Sequence, residues 1–499
     1  MDILKKLRFH HEMTETPQFC CYKTPPDYPG DSLPCQFMTE PEIETRLVNV
    51  GGLTFCPYHL PYSSEALECD HNAAEDVNHP DLKKNWSEDR IIEFDKDIHQ
   101  RLENAYKAGT KSNLTGIVFP GPARFVEKKF REVDFSHSKF AGGLADFSDA
   151  HFSGGYTSFE EAEFDGGSAI FTRAEFSGGD ADFRGVLISG GAAVFEDVRF
   201  SGGSALFMNA RFSGGPTIFR NAQFSGGNAL FMHAQFPNAP TFFDNAQFSG
   251  GLASFSIFIV SETRSPSDSG FQTVTFDHAV FSIGAHFDNR QFLGGTHFRS
   301  TTFTQAPEFY GCRLHHNTTF PPIENFKDTC TPNAAHAYRT LRLAMKQQEA
   351  HEEEAMFWAL EQRSKRSNLD LKRPGNWLPW GLSWMYEAIS AYGLSETRPL
   401  LWFGVWAAVI APLIYFFLRN PIDQLAKPVG YSDILGFSLA QSVRPFFIWG
   451  DYDGSDIKSV LGEHIDPLSV KLFATADSLI SLVLIALFIL AVRRRFRMQ

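Results

Sequence analysis

The cysteine and histidine side chains near the start of the chain have the types and spacing that could bind a metal. Cys56 and His59 form a Cys-x-x-His motif after a Gly-Gly turn, and Cys35 and Cys20 (or Cys21) precede it. Thiolates combined with an imidazole make up the ligand set of a closed structural zinc site. We therefore expect one zinc ion bound by Cys20, Cys35, Cys56 and His59, which would help a core-poor segment to fold.

Other roles for these residues stay open at this stage. Cys69 and His71 are rival ligands, and the thiols could instead be scattered reduced side chains without a metal. A Cys nucleophile with His59 as its base would need an oxyanion loop, and no such motif is found. The sequence also shows no phosphate loop, no paired-carboxylate site and no redox Cys-x-x-Cys, so we predict that the protein is not an enzyme.

The fold of the central part of the chain, which follows these side chains, is predicted from its phenylalanines, of which the whole chain has 50. Between residues 152 and 255 two series of Phe, with Ile188 once in place of Phe, each recur every twelve residues, and the offsets between the series alternate seven and five. A small or β-branched residue usually stands two positions before each Phe, and Ser-Gly-Gly occupies most of the longer offsets. This period fits neither a helix nor a long strand. It predicts short extended sides that stack into a solenoid.

The ladder from about 114 to 320 resembles the pentapeptide-repeat family, which implies a right-handed quadrilateral β-helix. The Cys-x-x-His motif also resembles a segment that precedes some of these solenoids. The ladder departs from the family in its seven-residue sides and in an interruption near 261–270. We expect Phe207 to stack on Phe183 and Phe231, 24 residues away on either side. We also expect glycine to supply the backbone angles at the corners.

The chain divides into five predicted segments. They are a Cys/His-rich segment (1–83), a capping helix (84–110), the β-helix (111–322), a helical cap or neck (333–373) and a membrane domain (377–499).

Two apolar runs, 400–418 and 472–492, are long enough to span a bilayer. Basic residues precede the first run and follow the second, whereas the loop between them is rich in acids. The positive-inside rule then places both termini in the cytoplasm of a multi-pass inner-membrane protein. The first residues do not resemble a secretory signal, which agrees with a cytoplasmic body. The motif Tyr392-Gly393-Leu394-Ser395 also resembles membrane-anchored pentapeptide-repeat proteins of bacteria.

These features predict a non-catalytic, membrane-anchored scaffold that presents a binding surface to a protein partner or to a second copy in a homo-oligomer. The formal net charge of −13 makes nucleic acid an unfavourable partner. One alternative is a channel or membrane effector that uses 434–449, a segment too short to span. That segment could also lie flat on the membrane surface. A second alternative is a DNA-mimic inhibitor, suggested by acids on the first coils.

Overall fold

The computed structural model describes residues 35–40, 43, 46–50, 53–63, 79–237, 239–258, 270–418, 430–443 and 467–497. Contacts divide the chain into two compact units, 1–328 and 329–499. The predicted interruption at 261–270 lies almost wholly outside the described residues.

The first unit begins with short elements and one long helix. A hairpin pairs Val48–Val50 with Leu53–Phe55, and 3-10 turns occupy Gln36–Thr39 and Lys83–Asn85. Helix α1 (Glu88–Ala108) follows, somewhat shorter than the predicted 84–110. The Ser87 hydroxyl accepts a hydrogen bond from the Arg90 amide at its N-terminus, and Gly109 ends it with a φ of 71°.

Helix α1 covers the first coil of the solenoid. Phe94, Ile98 and Leu102 form its buried face. The ring of Phe94 lies 6.2 Å from that of Phe119, and the ring of His99 lies 5.4 Å from that of Phe125. The predicted capping role is therefore confirmed. The same helix also contacts the Cys/His-rich segment, because the Tyr58 and Phe94 rings are 5.9 Å apart.

The predicted β-solenoid with helices at both ends is confirmed, and the solenoid has about eight turns. Its two-residue strands pair in parallel and in register with strands one coil away. Side 1 consists of Ala123–Arg124, Ala145–Asp146, Ala169–Ile170, Ala193–Val194, Thr217–Ile218, Thr241–Phe242, Val274–Thr275 and Thr296–His297. Side 2 consists of Lys129–Phe130, His151–Phe152, Glu175–Phe176, Arg199–Phe200, Gln223–Phe224, Gln247–Phe248, Val280–Phe281 and Thr302–Phe303. Side 3 consists of Ser112–Asn113, Val133–Asp134, Thr157–Ser158, Ala181–Asp182, Ala205–Leu206, Ala229–Leu230, Ala253–Ser254 and Ala285–His286. Side 4 consists of Val118–Phe119, Lys139–Phe140, Glu163–Phe164, Leu187–Ile188 and Arg211–Phe212, followed by Gly270–Phe271 and Gln291–Phe292.

Stacked aromatic rings fill the solenoid. Phe207 lies parallel to Phe183 and to Phe231, with ring centroids 4.8 Å apart in both pairs. It meets the rings of Phe195 and Phe219 edge-on at 5.4 Å. Both geometries are favourable for aromatic pairs. The predicted stacking is confirmed, and the small residue before each Phe leaves room for the ring beside it.

The corners differ from the expectation that glycine supplies their backbone angles. The left-handed position recurs two residues after a Phe and is filled mostly by polar residues, as by Asn209 with a φ of 59°. Glycine in the Ser-Gly-Gly corners serves close approach instead. A Cβ at Gly190 would lie 2.5 Å from the carbonyl oxygen of Asp165 in the coil before it. These glycines let neighbouring coils touch backbone to backbone.

A fully buried arginine sits where the ladder is interrupted. Arg290 stands two residues before Phe292, a position that other coils give to a small residue. Its guanidinium donates to the carbonyl oxygens of Phe255 at 2.7 Å, Ala234 at 2.7 Å and Phe231 at 3.2 Å. Burial lowers the pKa of Arg290 to about 9.

The second unit is helical. Its helices are α2 (Ala334–Gln347), α3 (His351–Ser367), α4 (Trp377–Ser390), the first apolar helix (Thr397–Leu418), the short helix (Tyr431–Val443) and a last helix, Pro467–Arg497. Residues 468–493 of that last helix are called the second apolar helix. A π-helical turn, Trp406–Ile410, interrupts the first apolar helix. The predicted spans 400–418 and 472–492 fall inside these two apolar helices.

Candidate metal centre and interaction surfaces

Three of the four predicted zinc ligands lie together. The Sγ atoms of Cys35 and Cys56 are 3.7 Å apart, and both face Nδ1 of His59 at 3.3 Å and 3.4 Å. The 3-10 turn after Cys35 and the turn after the Leu53–Phe55 strand bring them together. The predicted fourth ligand, Cys20 or Cys21, lies outside the described residues.

The spacing of the three side chains fits a tetrahedral zinc ion. Two thiolates at about 2.3 Å from one zinc lie about 3.8 Å apart, close to the distance between these sulfurs. Nε2 of His59 lies 3.0 Å from the Thr115 carbonyl oxygen, a partner that orients the ring so that Nδ1 faces the thiols. Cys56 has no exposed surface and Cys35 and His59 have 3% each, which leaves a Cys–His nucleophile without access to a substrate.

A buried lysine that the sequence does not mark accompanies this cluster. Nζ of Lys83 donates to the carbonyl oxygen of Tyr58 at 2.9 Å and to that of Val118, and it lies 4.4 Å from the Phe94 ring centroid. Burial lowers the pKa of Lys83 well below its usual range, while the nearby charge of Cys56 acts in the opposite direction. A protonated Lys83 would offset part of the negative charge of two thiolates.

Several acidic residues on the first coils are paired with bases one coil away. Asp149 accepts from Arg173 at 2.7 Å, Glu175 from Arg199 at 2.8 Å, and Glu163 from Lys139 at 2.9 Å. These ion pairs neutralise negative charge that a surface imitating DNA would need to display. The charge pattern therefore favours stabilisation between coils over DNA mimicry.

Side 1 carries an outward column of apolar side chains in four successive coils. Its members are Ile170, Val194, Ile218 and Phe242, all partly exposed. The outward positions of side 2 in the matching coils are polar, from Glu175 through Arg199 to Gln223 and Gln247. Because the strands are in register, the four apolar side chains form one continuous stripe.

Both apolar helices of the second unit are long and apolar enough to cross a membrane. Only 22% of the most apolar stretch of each is buried within the protein. Large side chains such as Leu401, Phe417 and Leu472 are more than half exposed. An apolar surface of this kind is unfavourable in water and suits contact with lipid.

The short helix contacts both apolar helices. The Ser438 hydroxyl donates to the Ala407 carbonyl oxygen at 3.4 Å, and Ser478 donates to the Gln441 carbonyl oxygen at 2.9 Å. These contacts differ from the expectation of a segment lying flat on the membrane surface. These hydrogen bonds join residues that are far apart in the sequence. A hydropathy profile, which averages over neighbouring residues, therefore could not predict them. Arg444 lies outside the described residues.

A second group of metal-binding types occurs on the solenoid. His286, Asp288 and Glu308 place one ligand atom each within 4.8 Å of one another. Nε2 of His286 lies 3.8 Å from Glu308, and Asp288 accepts the Tyr310 amide at 3.1 Å. All three side chains are partly exposed and have partners within the coils, which suits a surface hydrogen-bond network.

Comparison with known protein families finds a match within the solenoid. Residues 114–163 match a family model described as Pentapeptide repeats (9 copies). No curated protein matches the chain. The matched residues include the early coils, in which Phe125, Phe130, Phe135 and Phe140 keep the five-residue spacing.

Proposed function

We propose that this chain, which belongs to the pentapeptide-repeat family, is a membrane-anchored scaffold that presents one side of its solenoid to a protein partner. Pentapeptide-repeat solenoids are generally non-catalytic scaffolds. The observation that carries the proposal is the apolar column on side 1, formed by Ile170, Val194, Ile218 and Phe242. A flat, rigid column of partly exposed apolar side chains suits burial against another protein.

A photoreactive residue placed at Ile218 in the full chain, in cells, tests this surface. We expect crosslinks from position 218 and none from Gln223, the outward residue of side 2 in the same coil. A product containing a second polypeptide supports a separate partner, whereas a product of the chain with itself identifies a homo-oligomer. No crosslink from 218, or equal crosslinking from both positions, contradicts the proposal.

We propose that the two apolar helices anchor the chain in the inner membrane with both termini in the cytoplasm. Support comes from their exposed apolar surface and from arginines after the second helix, which resist translocation. Reporter fusions at Asp453 and at the C-terminus should report opposite sides of the membrane. The same side for both would refute the topology, and release of the protein by alkaline carbonate would refute the anchor.

The contact of the short helix with both apolar helices favours a channel or membrane effector as a second candidate function. A helix of 13 residues extends about 20 Å, so it cannot cross by itself, but it can enter between two spanning helices. Ion flux in liposomes that contain the full chain tests this function. Flux abolished by Arg444→Glu supports it, and no flux above empty liposomes removes it.

We also propose that Cys35, Cys56, His59 and one of Cys20 or Cys21 hold a structural zinc ion. The zinc would tie the hairpin turn to the segment before it and, through the His59–Thr115 contact, to the first coil. Such a site contributes folding free energy directly. It would replace part of the apolar core that this segment lacks.

Elemental analysis of the full chain, purified without chelator, should give one zinc per chain. Cys56→Ser should lower that content strongly, whereas Cys330→Ser, at an exposed thiol of the second unit, should leave it unchanged. Absence of zinc from the unmodified chain would remove the proposed ion. Unchanged content in Cys56→Ser would remove this ligand set.

A further inference from the structure

One acidic side chain is buried in a helix of the second unit that is long and apolar enough to cross a membrane. Asp477 is the only acid of the second apolar helix, and its side chain has no exposed surface. It stands ten residues after Pro467, the first residue of the last helix, or about 15 Å along the axis. With the stretch 468–493 across a bilayer, the carboxyl group would lie inside the hydrocarbon core, closer to the Leu468 end than to the Arg493 end.

Three helices meet at this carboxyl group. Its Oδ1 accepts hydrogen bonds from Nε1 of Trp406 at 2.8 Å and from the Ser442 hydroxyl at 2.9 Å. Its Oδ2 lies 3.3 Å from the Tyr415 hydroxyl. Trp406 and Tyr415 belong to the first apolar helix and Ser442 to the short helix. The carboxyl group is thus the junction between all three.

The groups that face Asp477 carry no positive charge. The short helix contributes Ser442, the first apolar helix contributes Trp406 and Tyr415, and Ser481 lies beside the carboxyl group on its own helix. Within the described residues no base forms an ion pair with Asp477. On the same helix, the described stretch 468–492 contains one base, Lys471, and its side chain is exposed. Tyr415 is the one other titratable side chain that contacts it among the residues described.

The two oxygens of Asp477 have different surroundings. Oδ1 already accepts two hydrogen bonds at normal length, whereas Oδ2 has one long contact with a hydroxyl that can both donate and accept. A proton on Oδ2 can be donated to the Tyr415 oxygen while Oδ1 keeps both donors. An unpaired carboxylate at this depth is costly, and a bound proton removes that cost without another cation.

We propose that Asp477 is a proton-binding site within the membrane. The protonated carboxyl group holds the short helix between the two apolar helices through Ser442, Trp406 and Tyr415. This inference rests on the proposed insertion of the apolar helices into a bilayer.

Dicyclohexylcarbodiimide, which reacts with protonated carboxyl groups in apolar surroundings, tests the site on the full chain. The protein in phosphatidylethanolamine–phosphatidylglycerol liposomes is treated between about pH 5 and about pH 9, and the modified residues are found by mass spectrometry. We expect modification at Asp477 that falls about tenfold per pH unit once the acid is mostly ionised. Asp433, exposed on the short helix, should stay unmodified.

The outcomes separate this inference from the proposed anchor. Failure of the protein to float with the liposomes refutes the anchor. Flotation without modification of Asp477, or modification that does not change with pH, refutes the proton site alone. Protection by Na⁺ at constant pH would reassign the site to a metal cation and also overturn the proposal. Asp477→Asn, if it inserts, should lose the modified peptide.

Discussion

The solenoid and the second unit bury polar groups in opposite ways. In the solenoid the strands satisfy almost every backbone group, and the buried charge of Arg290 appears where coils pair irregularly and three carbonyl oxygens need donors. In the second unit the helices satisfy their own backbones, and the buried carboxyl group of Asp477 is met by side chains from two other helices. A periodic sheet thus buries an ionisable group where its period fails, whereas packed helices bury one where their side chains converge.

The largest effect should come from breaking the periodic core. Phe207→Ala removes a ring that contacts six others, and we expect a loss of about 3–5 kcal/mol in the free energy of unfolding. Arg211, an exposed residue of the same coil, is the control, and Arg211→Ala should change stability by less than about 0.5 kcal/mol. Denaturant unfolding of the full chain in detergent, followed by amide exchange of the solenoid strands, measures both. Equal losses would contradict the inward stacking of Phe207.

A smaller effect is expected where the period fails. Arg290→Met keeps much of the side-chain volume but leaves carbonyl oxygens of three residues without their donor, at an expected cost of about 2–4 kcal/mol. The matched control is Arg299, which forms a surface ion pair with Asp277 and whose side chain is 63% exposed. Arg299→Met should cost less than about 1 kcal/mol. The same amide-exchange measurement applies, and a silent Arg290→Met would mean that the carbonyl groups find other donors.

The sequence predicts the periodic parts of the fold better than the contacts between distant segments. The twelve-residue period predicts the four sides, the stacking of Phe207 and the parallel register, because each coil repeats one local pattern. Apolar length predicts both candidate spans. The side chains that contact Asp477, and the carbonyl oxygens that accept from Arg290, depend on which segments meet in the folded chain. No local sequence pattern encodes those contacts. The Cys35–Cys56–His59 cluster was predictable because few residue types bind zinc.

The left-handed backbone at the solenoid corners restricts which side chains they accept. Asn209 lies outside the Ala-x-Phe pair, so the sequence predicts that it tolerates change, but its φ of 59° contradicts that expectation for most side chains. Asn209→Val should cost about 1–2 kcal/mol because a β-branched residue is strained there, whereas Asn209→Gly should be close to neutral. Thermal unfolding of the two variants distinguishes them. Equal stability would mean that the corner adjusts its backbone.

The smallest effect concerns the cap. Burial of His99 in α1 lowers its pKa, despite the nearby Asp95 charge that acts in the opposite direction. In the unfolded chain His99 takes up a proton near about pH 6.5, so the unfolded state binds more protons than the folded state as the pH falls. The local stability of the cap is therefore fully present above that pH and decreases below it. We expect a change of less than about 1 kcal/mol.

Amide exchange of helix α1, corrected for the intrinsic effect of pH, measures this loss. Burial raises the pKa of Asp95, which gives a contribution of opposite sign at lower pH, so the comparison should stay above about pH 5. His99→Gln keeps a polar side chain near the Phe125 ring and removes the titration, so its exchange should lose the pH dependence. If amide exchange in the unmodified chain and in His99→Gln shows the same pH dependence, another group titrates. Protonation of His99 then does not change the stability of the cap.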